Sequence, residues 1–142
     1  MERTNIRFDD YLQQIPEQSR ATIQTLNQIV VDIFGESERS IWEGTFWGGS
    51  EQTIIGYGDF KYNRSDKKQV EWFMVGVALQ KNYYSYYINA IDGKQYLVKK
   101  YAGQLGKVRI GASSISFKKI EDLNIETMKE IIQIAYAQTL NT

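Results

Sequence analysis

The sequence predicts an α+β domain: an antiparallel sheet of about five strands with helices packed mainly on one face. Three observations predict it. Apolar residues recur at helical spacing near both ends of the chain, the segment between is rich in aromatic and β-branched residues, and glycines such as Gly44 and Gly56 interrupt that segment. The expected order is helix, helix, four strands, helix, strand and helix, in a single domain spanning residues 1–142.

Helix-breaking and capping residues predict where the helices begin and end. A short helix begins near Phe8 with an Asp cap, and a second runs over residues 16–34, with Pro16 in its first turn and Gly35 as its C-terminal stop. After a short helix that ends at Gly106, the closing helix is expected to begin after Asn124, which serves as its cap.

The strands are expected between residues 40 and 89, with one more at 114–117. Residues 71–79 are apolar on both alternating sets, which favours a central strand that is covered on both faces or that forms a cavity wall. Residues 63–69 have the composition of a hairpin loop, and Lys81-Asn82 is a candidate two-residue turn.

Composition narrows the function classes. The chain contains no cysteine and no histidine, which removes disulfides, thiolate chemistry, His-based catalysis and the usual zinc ligands. Seventeen basic residues balance seventeen acidic ones, so no overall charge draws the chain to nucleic acid or to a membrane. We therefore expect a cytoplasmic, non-enzymatic protein with no cofactor, no metal, and neither nucleic acid nor membrane as a partner.

Four segments carry a resemblance to a known family: Ile41–Gly49, Ile55–Phe60, Leu105–Gly111 and Ile115–Leu123. Together they resemble the YdhG-like family, also called domain of unknown function 1801. The resemblance implies a compact α+β fold, and some family members are described as frataxin-like iron chaperones. It thus implies an alternative function, intracellular iron handling through carboxylates near the first helices.

The candidate ligand site centres on residues 42–49, where a carboxylate lies between two tryptophans beside three glycines. We expect an aromatic concavity with a basic rim that recognises a small polar or anionic ligand, or a side chain of a protein partner. Core packing of the aromatic residues and an exposed edge position for the carboxylate are the alternative interpretations. The candidate site residues are Trp42, Glu43, Trp47, Tyr57, Trp72, Lys81 and Arg109.

Two further hypotheses stay open. Glu43 with a raised pKa and a Tyr or Lys partner would make the chain an acid–base enzyme. The tyrosine-rich segment 83–87 offers more apolar area than one sheet face readily hides, which favours a homodimer or a ligand groove.

Overall fold

The computed structural model describes residues 1–45, 51–63 and 67–141, with the backbone alone at Tyr62 and Asn63. It confirms the α+β class: four helices accompany a seven-stranded antiparallel sheet. The helices are α1 (Phe8–Gln14), α2 (Glu17–Phe34), α3 (Leu97–Lys100) and α4 (Ile125–Leu140). The strands are β1 (Glu2–Arg3), β2 (Arg39–Thr45), β3 (Glu51–Tyr57), β4 (Phe60–Asn63), β5 (Gln69–Trp72), β6 (Val75–Leu79), β7 (Tyr84–Ile88), β8 (Ile91–Asp92), β9 (Gln95–Tyr96), β10 (Arg109–Ile110) and β11 (Ser114–Phe117).

The long helices α2 and α4 begin and end close to the proline, glycine and asparagine residues that predicted their boundaries. Pro16 precedes α2, and Gly35 ends it with φ +87°, donating its N–H to the Val31 carbonyl at 2.8 Å. Asn124 caps α4, since its Oδ1 accepts the Thr127 N–H at 3.3 Å. The expected Asp cap of α1 is wrong, because Arg7 occupies the cap position and its side chain forms no capping hydrogen bond. Two aspartates lie instead in the first turn, where their negative charge interacts favourably with the positive end of the helix dipole.

The main sheet has the strand order β1-β2-β3-β6-β7-β11-β10, and every neighbouring pair is antiparallel. The sheet has more strands than the expected five or so because β1 and β10 are edge strands of two residues each. Strands this short cannot show the alternation of apolar and polar residues that predicts a strand. β4 pairs with β5, and β8 with β9, as separate two-stranded ribbons.

The expected strand over residues 71–79 is two strands. β5 ends at Trp72 and belongs to a ribbon, whereas β6 begins at Val75 in the centre of the main sheet. The residues between them carry the chain from one layer to the other, and Phe73 is fully buried there. β6 itself is covered on both faces, as the apolar run indicated.

The main core lies between the helices and one face of the sheet, which we call the helix face. Buried side chains of all four helices join Ile41, Val77 and Ile115 there. Tyr86 also points to this face, where its hydroxyl donates to the Leu26 carbonyl of α2 at 2.7 Å. In the described part of the chain, no helix is long and apolar enough to cross a membrane.

The opposite face of the sheet carries a smaller aromatic core. Trp42 and Phe73 pack there with Ile54 and Ala78, and Trp72 lies against them. Phe73 stacks on Trp72 with ring centroids 4.6 Å apart and meets Trp42 edge-on at 5.7 Å.

The paired glycines Gly56 and Gly76 form the floor of this aromatic core. A Cβ on Gly76 would stand 2.5 Å from the Phe73 ring, and one on Gly56 would stand 2.6 Å from the Trp42 indole. A side chain at either position would therefore force the facing ring to shift, because real Cβ atoms essentially never approach so closely.

Candidate functional site

The structure does not bring Trp42, Tyr57 and Trp72, the candidate aromatic residues that it describes, to one cavity. Trp42 and Trp72 belong to the aromatic core on the face opposite the helices, which we call the open face of the sheet. Tyr57 points to the helix face, where it is fully buried and its hydroxyl donates to Asn27 Oδ1 at 2.8 Å. Trp47 lies outside the described residues. The three placed rings therefore pack in cores, and none of them lines a described pocket.

Two other candidates, Glu43 and Lys81, line the same concavity, which we call the polar cleft. It has a volume of about 660 Å³ and opens where α1 passes the ends of β2, β3 and β6 on the helix face. This volume is within the range of small-molecule sites. The lining residues are Tyr11, Gln14, Ile15, Glu43, Gly44, Glu51, Gln52, Thr53, Leu79, Gln80 and Lys81.

The register of β2 and β3 explains why acidic groups gather in the cleft. Glu43 pairs with Thr53, and Thr45 pairs with Glu51, so the two glutamates stand diagonally on one face. Diagonal neighbours in an antiparallel pair are roughly 7–8 Å apart, close enough for both carboxylates to contact one small molecule. Both glutamates are exposed, because burial ends at Trp42 along β2 and begins at Ile54 along β3.

The turn between β6 and β7 supplies the opposite charge. Gln80 donates its N–H to the Tyr83 carbonyl at 2.8 Å, which closes the turn around Lys81 and Asn82. The Gln80 side chain is also held, since its Nε2 donates to Gln52 Oε1 at 3.2 Å and to the Tyr87 hydroxyl at 3.0 Å. Lys81 thus extends from a fixed turn, and it forms no ion pair within the described ranges.

Tyr11 of α1 lines the inner wall of the cleft. Only 3% of its surface is exposed, and burial raises the pKa of its phenol to about 12. The hydroxyl therefore stays protonated near neutral pH and is able to donate a hydrogen bond. With Ile15 and Leu79 it gives the cleft a partly apolar wall beside its charged rim.

The remaining candidate, Arg109, lies in a different concavity, the basic pocket. This pocket has a volume of about 330 Å³. It is lined by Tyr83, Lys107, Arg109, Ser116, Phe117, Lys118 and Asp122. The expected rim that would combine Lys81 with Arg109 is therefore split between two sites.

No family model, curated protein or solved structure matches this chain. The YdhG-like resemblance consequently stays an expectation, and the interpretation of both concavities rests on their own geometry.

The carboxylates that the resemblance would assign to iron do not form a cluster. Asp9 lies in a small pocket with Glu36, but Arg7 and Arg39 line that pocket as well. No group of three or more acidic residues with metal-binding proximity occurs among residues 1–45, 51–63 and 67–141. A site with two carboxylates and two guanidinium groups favours internal charge balance over a cation.

Most of the tyrosine-rich segment 83–87 packs within the chain, whereas Tyr83 at its start is 40% exposed. β7 is an inner strand between β6 and β11, and its tyrosines are used within the chain. Tyr86 is fully buried, and Tyr84 stacks on Phe117 with ring centroids 6.2 Å apart. The homodimer stays a prediction, and β7 adds nothing to its support.

Sequence reasoning missed several lining residues of the two concavities. Glu51, Thr53 and Tyr11 reach the polar cleft, and Tyr83 and Asp122 reach the basic pocket. Glu51 was detectable only with a known register of β2 and β3, because its position opposite Thr45 depends on how the two strands pair. The packing of Trp42 in a core had a clearer signal in the sequence, because a glycine inside an apolar strand indicates that another group approaches the backbone closely.

Proposed function

We propose that this chain is a non-enzymatic binding domain that holds a small zwitterionic molecule in the polar cleft. The observation that carries the proposal is the meeting of Glu43, Glu51 and Lys81 around one cavity of about 660 Å³. A pocket with both signs of charge suits a ligand that carries both an amine and a carboxylate.

The charge count of the cleft narrows the ligand further. The lining contains two carboxylates and one ammonium group, and hence one unit of excess negative charge. A ligand with two cationic groups and one carboxylate complements it, and a basic amino acid is the simplest such molecule. The apolar wall formed by Ile15 and Leu79 matches the methylene chain of that molecule.

The positions of the charged groups support binding over catalysis. Glu43 and Glu51 stand on the paired strands β2 and β3, and Lys81 stands on a turn closed by a backbone hydrogen bond. These fixed backbone positions lower the entropy cost of binding, because only the side chains must be ordered when the ligand arrives. The chain also has no histidine or cysteine to act as a base or nucleophile near neutral pH.

Calorimetric titration with three probes tests the proposal. L-lysine carries all the required groups, cadaverine lacks the carboxylate, and 6-aminohexanoate lacks the α-amine. We expect L-lysine to bind most tightly and each truncated probe to lose roughly tenfold, as expected for one charge-assisted hydrogen bond. Equal affinity for all three, or no heat with any of them, would refute the proposal.

Variants of the cleft residues test which side chain contacts which charged group of the probe molecule. Lys81→Gln should reduce the affinity for L-lysine to that for cadaverine, while leaving cadaverine binding unchanged or slightly stronger. Glu43→Gln should weaken both. The matched controls are Lys94→Gln and Glu71→Gln, exposed residues outside the described pockets. If either control weakens binding as much as the cleft variants do, the effect is one of overall charge and the assignment fails.

A further inference from the structure

The basic pocket gathers positive charge in a chain whose net charge is zero. Lys107, Arg109 and Lys118 line it together with a single carboxylate, that of Asp122. None of the three cations forms an ion pair with any residue in the described parts of the chain. Like charges held around one concavity repel each other, and an anion that enters it relieves that repulsion.

Backbone contacts fix the chain positions of two of these cations, Arg109 and Lys107. Arg109 of β10 pairs with Ser116 of β11, and cross-strand partners share a face, so both side chains point to the open face of the sheet. Ser116 Oγ in turn lies 3.0 Å from Ser85 Oγ, and Ser85 is only 2% exposed. The side of the pocket that carries Arg109 therefore rests on a buried polar contact.

Lys107 is fixed by a contact that only glycine permits. Gly106 has φ +98°, and a Cβ there would stand 2.2 Å from the Asp122 carbonyl oxygen. This close approach lets the Lys107 N–H donate to the same carbonyl at 2.8 Å. Asn124 ties the segment to α4, since its N–H donates to the Leu105 carbonyl at 2.9 Å. Lys107 and Asp122 are thus held on adjoining backbone at one side of the pocket.

We propose that the basic pocket binds the phosphate group of a small, hydroxylated phosphate ester. A phosphate monoester carries nearly two negative charges near neutral pH, which matches the excess of two positive charges in the lining. The Arg109 guanidinium suits two oxygens of such a group, and the two lysines supply point charges. This proposal is independent of ligand binding in the polar cleft.

The other lining groups favour an ester over free phosphate. The Asp122 carboxylate would repel a bare anion, but it accepts a hydrogen bond from a hydroxyl on the organic part of an ester. Tyr83 is 40% exposed and offers an aromatic surface to that organic part. The pocket volume of about 330 Å³ accommodates a molecule the size of a pentose phosphate.

Amide chemical-shift titrations of the full chain test the proposal with four probes: ribose 5-phosphate, ribose, inorganic phosphate and sulfate. We expect saturable shifts at Lys107, Arg109 and Ser116 with ribose 5-phosphate, none with ribose, and binding roughly tenfold weaker with inorganic phosphate. Binding should weaken as salt rises, since exposed charges are screened. No saturable shifts with the ester, or equal responses to ester, phosphate and sulfate, would overturn the proposal.

Variants separate this pocket from general surface charge. Arg109→Gln and Lys107→Gln should each weaken ribose 5-phosphate binding roughly tenfold. Asp122→Asn should strengthen the binding of inorganic phosphate and reduce the advantage of the ester. Lys94→Gln is the matched control, because Lys94 is exposed and lines none of the described pockets. If the control weakens binding as much as the pocket variants do, the pocket is no specific site.

Discussion

Gly76 lies beneath the Phe73 ring in the central strand β6, so Gly76→Ala directly tests the packing of the aromatic core. The new Cβ would stand 2.5 Å from Phe73 Cε1 and 3.0 Å from Ile54 Cγ2, whereas ordinary contacts begin near 3.4 Å. The ring must therefore move by about 1 Å. It has little space to do so, because it is fully buried between Trp42 and Trp72.

Overpacking of this kind costs about 1–3 kcal/mol of the free energy of unfolding. For 142 residues the unfolding entropy is about 0.3 kcal/mol per kelvin, so the melting temperature should fall by about 3–10 °C. Urea unfolding followed by tryptophan fluorescence measures the free energy, and calorimetry measures the melting temperature. The control is Gly103→Ala, where the Cβ meets nothing within 4 Å and φ is not positive. We expect that variant to be neutral or slightly stabilised.

A double-mutant cycle with Phe73→Leu identifies the clash itself. In the Phe73→Leu background the ring is absent, so the cost of Gly76→Ala should fall by at least about 1 kcal/mol. If the two changes are additive, or if Gly76→Ala is as mild as Gly103→Ala, Phe73 does not pack on Gly76 as described.

Two other predictions concern the main core. Asn27→Ala should cost about 2–4 kcal/mol, because Asn27 Oδ1 accepts from Tyr57 at 2.8 Å and from Arg39 Nη1 at 3.2 Å, and the buried phenol would lose its partner. Tyr57→Phe should then cost nothing more in urea unfolding of the double variant, and an additive loss would contradict the pairing. Burial raises the pKa of Tyr11 to about 12 from 10.0, so its contribution to stability is complete below pH 10 and is lost between pH 10 and 12 as the unfolded chain ionises first. That loss is at most about 2–3 kcal/mol, and Tyr11→Phe should remove it from the pH dependence of urea unfolding; an unchanged alkaline slope would show that Tyr11 titrates freely.

Local chemistry made the helical half of the fold predictable. Pro16, Gly35 and Asn124 each restrict the backbone or satisfy its end groups, so the ends of α2 and α4 follow from single residues. The division of residues 71–79 into β5 and β6 had no such marker. Trp72, Phe73 and Met74 have side chains as typical of strands as those of the residues on either side. Only tertiary packing makes the chain leave one strand and enter the next at this point.

The candidate site was only partly predictable, because residue type does not state which face of a sheet a side chain occupies. Trp42 and Tyr57 are both large aromatic residues, yet the register places them on opposite faces. Glu43 and Lys81 were selected for their charge, and they meet because β2 and β6 flank β3. That adjacency is a property of topology, which no local pattern contains.

The β4–β5 ribbon has a consequence for how the protein opens. Its two strands pair only with each other among the described residues, so no backbone ladder joins the ribbon to the main sheet. Aromatic side chains such as Trp72 and Phe73 make much of its attachment. We therefore expect the ribbon to open as a separate cooperative unit while the helices and the seven-stranded sheet remain folded.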